Sequence, residues 1–313
     1  MTTAIPAPGP EFPRRHPADR VPIAGTAALV TGIILRSARR DRELPLRDAA
    51  TAAGIQAKAL AEMEAGIPAP VHLTLPLILP RLLGLYGTPR ADLHLPALLE
   101  LLDQPHGTTL LDAAPGWYER LTWCESEAQH LTVYSATTLP HPVHTPEYSR
   151  IWWQGQIVRD APPPDVVDAR RRRAEADDDC SLSLLLEEPV LWRHPRAARA
   201  TMAAQLGHLT ILRTVDVRIV SLGIRAFPAG ILTALSLGNS RYLCAEETSM
   251  GIVYSTGRAA AHRDDILTAV TREARSEQLS ASLLRSAALS LSGPDQPVTR
   301  VFPRPSTAEG CFL

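Results

Sequence analysis

From Gly25 the chain runs largely apolar through "GTAALVTGIILRS" and then turns basic in "LRSARRDREL". Apolar positions that recur at helical spacing across that change predict a helix. After Pro45, "LRDAATAAGIQAKALAEMEAG", Leu46 to Gly66, spaces its apolar and small residues as two short helices with Gly54 between them. "LPLILPRLLGLYG" predicts one or two short helices, their starts limited by Pro76 and Pro80. A linker around "TPRADLH" leads to the helical piece "LPALLELLDQ", and "PHGTTLLDAAPG" reads as a loop.

From Trp117 the pattern changes. "WYERLTWCESEAQHLTVYSATTL" predicts a helix that breaks into a strand, and "TPEYSRIWWQGQI" an aromatic helix opened by Thr-Pro. "DVVDARRRRAEADDD" reads as a charged helix, "CSLSLLLEE" as a strand and "PRAARATMAAQLGHLTILR" as a long helix. "VDVRIVSL", "GILTALSLG", "RYLCAEE" and "GIVYSTG" alternate or run apolar like strands. One or two amphipathic helices close the pattern over "RDDILTAVTREARSEQLSASLLRSAALSL". The expected fold is multidomain: an all-α helix-turn-helix N-terminal domain over 25–90, a helical linker over 91–116, and an α+β C-terminal domain over 117–292. Residues 1–24 read as a disordered Pro-rich lead-in and 293–313 as a flexible tail.

Composition narrows the classes without choosing among them. The chain has 313 residues, 45% of them hydrophobic, and a net charge of -1, enough for one or two packed cores. No apolar run is long enough to span a bilayer and the N-terminus lacks a signal-peptide core, so a cytoplasmic protein is expected. The four cysteines, Cys124, Cys180, Cys244 and Cys311, form no CxxC pair. Their scatter predicts neither a zinc site nor a disulfide framework, and no cofactor is expected.

The Leu46–Gly66 stretch meets several independent demands of a helix-turn-helix. Ala50 stands where the two helices must approach, Gly54 where the turn favours positive φ, and Ile55, Leu60 and Met63 where the second helix packs on the first. With its basic lead-in, it resembles the lambda-repressor-like, or XRE-type, helix-turn-helix family, sharing the L-x-x-A-A core, the Gly-Ile turn and the Glu-x-Gly ending at Glu64 and Gly66. The departures fall on the DNA-facing side. Gln56 and Lys58 stand where the family has Ser or Thr, and Ala61 and Glu62 where it usually has Ser and Arg. Gln56 suits adenine, Lys58 guanine and Ala57 a thymine methyl, while Glu62 would have to accept from a cytosine amino group. Arg39, Arg40 and Arg47, with Arg36 and Arg42, are the candidate phosphate contacts. Lys58 is the sole lysine, and few free cations per copy point to a homodimer on promoter double-stranded DNA.

The second half carries motifs in a shared order. "YERLTWCESEAQHLTVYSATTLPHPVHTPEY" is similar to an acidic-alanine helix followed by V-P-G-L-L-Q-T-x-x-Y; "LEEPVLWRH" places Glu188, Leu191 and Arg193 on an E-x-x-L-x-R element; "MAAQLGHL" places Met202, Gln205, Leu206 and Leu209 on M-x-x-Q-L-x-x-L. Together they resemble the C-terminal domain of WhiJ-like actinobacterial regulators. That resemblance implies an effector or partner domain and a small acidic or BldB-like companion protein. Where the family motif has Gly and Gln, this chain has His141 and His144. His141, His144, Tyr148, Trp152, Glu188, Arg193 and Glu246 are therefore the candidate ligand-pocket residues.

The histidine spacing in a Pro-broken loop is no established zinc pattern, so no metal site is expected. The Arg170–Arg173 run is followed at once by "AEADDD" and reads as a balanced, solvated helix. No nucleophile-base pair or phosphate loop announces an enzyme, and no catalytic residue is assigned. The expected function is DNA-binding transcriptional regulation, with a C-terminal domain that senses a ligand or docks a partner protein. Two alternatives stay open: a degenerate helix-turn-helix acting as a protein-interaction scaffold, and a biosynthetic enzyme using the C-terminal pocket with His141, His144, Tyr148 and Glu246 as its first suspects.

Overall fold

The computed structural model describes residues 25–67, 75–105, 107–155, 167–168, 180–194, 198–221, 230–238 and 241–293. The Pro-rich lead-in, residues 68–74, the Arg170–Arg173 run and the tail beyond 293 lie outside them. Among the described residues five helices come first: α1 Thr26–Asp41, α2 Leu46–Ala53, α3 Ala57–Glu64, α4 Leu75–Leu85 and α5 Ala91–Asp103. A mixed sheet with helices follows. Its strands are β1 Thr109–Asp112, β2 Ala128–Ser135, β3 Ser181–Glu187, β4 Val215–Val220, β5 Ile231–Leu237, β6 Arg241–Thr248 and β7 Gly251–Ser255. Among them run α6 Trp117–Ser126, α7 Pro146–Gly155 and α8 Arg199–Leu209, and α9 Gly257–Glu273 and α10 Glu277–Ser292 close the described chain. Short 3₁₀ turns cover His141–Val143 and Glu188–Trp192.

The seven strands lie in the order β1-β7-β6-β5-β2-β3-β4. β2, β3 and β4 are parallel, whereas the β1–β7, β7–β6, β6–β5 and β5–β2 pairs are antiparallel. Strand alternation sorts the sheet into two faces. On one, Val133, Leu184, Leu235, Leu243 and Ala245 join the main core; on the other, Tyr134, Leu185, Leu232, Ala234 and Cys244 pack with Ala260, Leu267 and Val270 of α9.

The main core does not stop at the sheet. Val30, Ile33, Ile34 and Leu35 of α1 belong to the same contiguous cluster as the sheet residues and as Leu60, Leu79 and Leu82. α1 is buried along nearly its whole length because α3, α4 and α5 cover part of it while α6, β1 and β7 cover the rest. Direct bonds cross the junction. Thr26 Oγ1 lies 2.8 Å from Thr256 Oγ1, Ser37 Oγ lies 2.6 Å from Ser126 Oγ, and Arg241 donates to the Ala65 carbonyl at 2.9 Å.

Three local expectations change. Thr109–Asp112, which reads as loop, is an edge strand paired with β7, too short for its alternation to register against the flanking Gly and Pro. The "LPLILPRLLGLYG" stretch is one helix, within the one or two expected, but Pro80 lies inside it instead of limiting a start, with Leu79, Leu82 and Leu83 buried. The helix after the "TPRADLH" linker already begins at Ala91 and contains Pro96.

Candidate functional site

α2 ends at Gly54 with φ 72°, and the Ile55 amide donates to the Ala50 carbonyl at 2.9 Å, closing a tight turn before α3. Ala49, Ala50 and Ala53 of α2 and Leu60 and Met63 of α3 are buried, so the small residues do bring the two helices together. Ile55 and Ala57 are half-buried against the core. Gln56, Lys58 and Ala61 face solvent. The Lys58 side chain is 84% exposed, and its Nζ lies 3.8 Å from Glu62 Oε1. An exposed pair of that kind contributes only about 0.3–0.5 kcal/mol, so it leaves Lys58 available to a stronger anion.

The arginines near this unit are differently placed. Arg39 holds Glu64 in a two-point bond, 2.7 and 2.9 Å, and donates to the Leu44 carbonyl at 2.8 Å. Arg36 and Arg40 both reach Glu127 at 2.9 Å, although the Arg40 side chain stays 62% exposed. Arg42 donates to the carbonyls of Tyr86 and Gly87. Arg47 is exposed, with no ion-pair partner among the described residues. Four of the five expected phosphate contacts therefore fasten helices to one another, which no spacing rule within the sequence could reveal.

A second constellation lies at the sheet edge formed by the carboxyl ends of the parallel strands. The loop after β2 carries His141 and His144, and Gln205 of α8 fixes it from both sides: Gln205 accepts from the Thr145 amide at 2.6 Å and donates to the Val143 carbonyl at 2.7 Å. Two motifs that look unrelated in the sequence thus meet as one buried clamp. His144 donates through Nε2 to the Leu139 carbonyl at 2.8 Å, since a carbonyl can only accept. His141 and His144 lie 4.9 Å apart between ring centroids. His141 stacks on Trp153 at 5.0 Å and meets Tyr118 edge-on, also at 5.0 Å. Tyr148 meets His144 at 4.7 Å and stacks on Trp152 at 6.4 Å.

The acid beside this cluster is Glu247, whose Oε2 lies 3.7 Å from His141 Nε2. Glu246, the residue singled out by sequence, points to the opposite face and pairs with Arg263 of α9 at 3.1 Å. Adjacent strand residues face opposite ways, so only one of the two could turn toward the histidines. Glu188 pairs with Arg275 at 3.6 Å, and Arg193 is exposed after the 3₁₀ turn. Four of the seven candidate pocket residues, His141, His144, Tyr148 and Trp152, come together; Tyr118, Trp153 and Glu247 join them. Among the described residues, no group of three or more His, Cys, Asp or Glu side chains is placed to hold a metal ion. Nor is any described helix long and apolar enough to cross a membrane.

Between the helices and the sheet lies a buried ionic network. Arg120 of α6 grips Asp112 of β1 through Nη2 and Nε at 2.6 and 2.7 Å, with both side chains fully buried. Its Nη1 lies 3.2 Å from His94 Nδ1, and His94 Nε2 lies 2.8 Å from Glu119, which also pairs with Arg90. The guanidinium can only donate, so Nδ1 accepts and the Nε2–H points at Glu119. The network ties α5, β1 and α6 together.

Burial leaves a titration signature. The Tyr148 phenol is pushed up to about 12 by desolvation, partly offset by a hydrogen bond with the Leu139 backbone. Tyr86, Tyr134 and Tyr254 are raised further, in each case chiefly by burial. A phenol whose folded-state pKa lies above its unfolded value stabilises the fold fully below about pH 10 and loses that contribution as pH rises through the folded pKa. The unfolding temperature should therefore fall as pH climbs past about 10. Ultraviolet difference spectra of the native protein near pH 11 should show these four of the six tyrosines still protonated, in the range where free phenols ionise. Full phenolate absorbance there, with the fold intact, would contradict the burial.

A family model described as "Domain of unknown function (DUF5753)" matches residues 118–286, from the start of α6 into α10. No curated protein matches the chain.

Proposed function

We propose that this chain, which belongs to the DUF5753 family, is a cytoplasmic DNA-binding transcriptional regulator. In this reading Leu46–Gly66 is a lambda-repressor-like helix-turn-helix that docks on promoter double-stranded DNA as a homodimer. The family domain senses a ligand or docks a partner protein, the small acidic companion implied by the WhiJ-like resemblance being one such partner. The observation that carries the reading is the solvent-facing start of α3. Gln56 and Lys58 stand exposed beyond a turn whose Gly54 and Ala50 are placed as a helix-turn-helix requires.

The engagement of Arg36, Arg39, Arg40 and Arg42 within the protein favours a second reading, a helix-turn-helix shape used as a protein-interaction scaffold. An enzyme reading loses one of its first suspects, since Glu246 lies on the other face of the sheet from His141.

Fluorescence anisotropy of the full chain on DNA upstream of its own gene separates the first two readings. With Arg47 and Lys58 taken as the phosphate-contacting cations of each copy, log affinity against log salt should slope about −2 for one copy and about −4 for a pair. Gln56→Ala with Lys58→Ala should weaken specific binding by about 1–3 kcal/mol for each base contact removed. Binding that ignores this double substitution and fades uniformly with salt would leave the scaffold reading.

A further inference from the structure

α3 is eight residues long, Ala57–Glu64, and a helix that short owes its stability to what packs on it and holds its ends. Its last carbonyls have no partner within the helix and form the negative end of its dipole, where a cation is stabilising. The helix supplies none itself, since no basic residue stands in its last turn. The Ala65 carbonyl, just past that turn, is instead met by Arg241 from 176 residues away, whose Nη1 donates to it at 2.9 Å. Among the described residues this is the one hydrogen bond that joins the family-matched stretch, 118–286, to the Leu46–Gly66 unit.

Further holds on this end of α3 come from α1. Arg39 grips Glu64, and the two backbones meet so closely that a Cβ on Gly66 would lie 2.5 Å from Leu29 Cα. Arg241 is placed differently. It opens β6, a strand paired with β5 on one flank and β7 on the other. Its Nε lies 3.4 Å from the Gly238 carbonyl just after β5, and the residue is half-buried. Burial, with Arg36 close by, pulls its guanidinium below the usual arginine value, and Glu127 counters them. Both ends of the bond are therefore fixed, the guanidinium by a paired strand and the carbonyl by a packed helix end.

We propose that Arg241 is a positioning residue for α3, through which the sheet of the family domain seats the helix that presents Gln56 and Lys58. The proposal rests on the DNA reading above for what α3 does, while the seat itself can be measured without DNA. β6 also carries Glu247, which meets His141 about 20 Å further along the strand. One stiff element thus runs from the His141 loop to the carboxyl end of α3, and a ligand or partner that shifts β6 would shift α3 with it.

Hydrogen exchange in the full chain tests the seat. Arg241→Met keeps an apolar stem and removes the charge and the donors. The amides of Leu60 and of Ala65 to Ile67 should then exchange roughly five- to tenfold faster, while those of α1, β2 and β3 keep their rates. A role in general stability alone would speed exchange across all of these elements. Arg241→Lys, which keeps a cation able to donate to one carbonyl, should restore most of the protection of α3. Arg241→Gln, neutral and shorter, carries the same test should Arg241→Met not fold. Arg218→Met is the matched control: its guanidinium donates to the carbonyls of Ala274 and Arg275 at 3.0 and 2.9 Å, and its loss should leave α3 as it was. Unchanged exchange at α3 in the folded neutral variant, or acceleration spread evenly over α1, α3 and the sheet, would overturn the proposal. Anisotropy of the same variants on DNA reads the other idea separately: α3 loosened with no effect on specific DNA binding would keep the seat and remove α3 as the reader.

Discussion

Asp112→Ala should destabilise the protein by about 3–5 kcal/mol, the cost of breaking a buried ion pair by removing one partner. The substitution strands the Arg120 guanidinium in a fully buried position. It keeps only the carbonyls of Ala114 and Pro115, at 2.8 and 2.9 Å, and the His94 ring nitrogen. None of these neutralises its charge. Because the pair is buried, the loss should persist in high salt, unlike that of an exposed bridge. Replacing both partners by apolar residues, Asp112→Leu with Arg120→Met, should recover most of the loss, since what is costly is the uncompensated charge. Denaturant unfolding of the single and double variants measures both effects. A loss under about 1 kcal/mol in Asp112→Ala would mean that water reaches Arg120 and that the helix–sheet junction is looser than its geometry implies.

The second large effect concerns how α3 is seated. Gly32 of α1 faces the end of α3 so closely that a Cβ there would lie 2.2 Å from the Met63 carbonyl oxygen, 3.0 Å from the Gly66 nitrogen and 3.1 Å from the Glu64 carbonyl carbon. All three are backbone atoms, so no side-chain rotation relieves the contact. Gly32→Ala should then cost about 1–3 kcal/mol as overpacking, reduced by the roughly 0.5–1 kcal/mol that alanine gains over glycine inside a helix. The two-point Arg39–Glu64 bond spans the same pair of helices and resists the separation the methyl demands. Gly84→Ala is the matched control. It lies in α4, nothing stands within 4 Å of the added carbon, and it should be neutral or stabilising. If the α2–α3 unit binds DNA as proposed, Gly32→Ala should also weaken that binding at temperatures where the variant is still folded, because α3 is displaced from its seat. Identical melting temperatures for the two alanine variants would refute the close approach.

What could be read from the sequence, and what could not, follows a physical line. Strands β3 to β7 and the helix-to-strand break near Glu127 showed in hydrophobic period and in Gly and Pro punctuation, which are local signals. The Ala50, Gly54, Leu60 and Met63 pattern was legible because each position answers a local steric demand. Partners distant in sequence were not legible. Glu64 claims Arg39 and Glu127 claims Arg36 and Arg40, so residues that look like a basic surface are largely braces. The choice between Glu246 and Glu247 depended on which face of β6 meets the His141 loop, and a doublet of identical residues carries no sign of that. The histidines were found because they depart from a pattern.

The burial of α1 on nearly all sides also bears on how the chain is made. Thr26, which opens the helix, bonds to Thr256, 230 residues later. At about 5–20 residues per second, the ribosome takes roughly 10–50 seconds to make that stretch. Through that interval Val30, Ile33, Ile34 and Leu35 wait for β7, which covers part of α1 and is made only near its end. The helix that unites the finished protein is therefore the segment a nascent chain must shield longest, which makes it the natural target for a chaperone acting during synthesis.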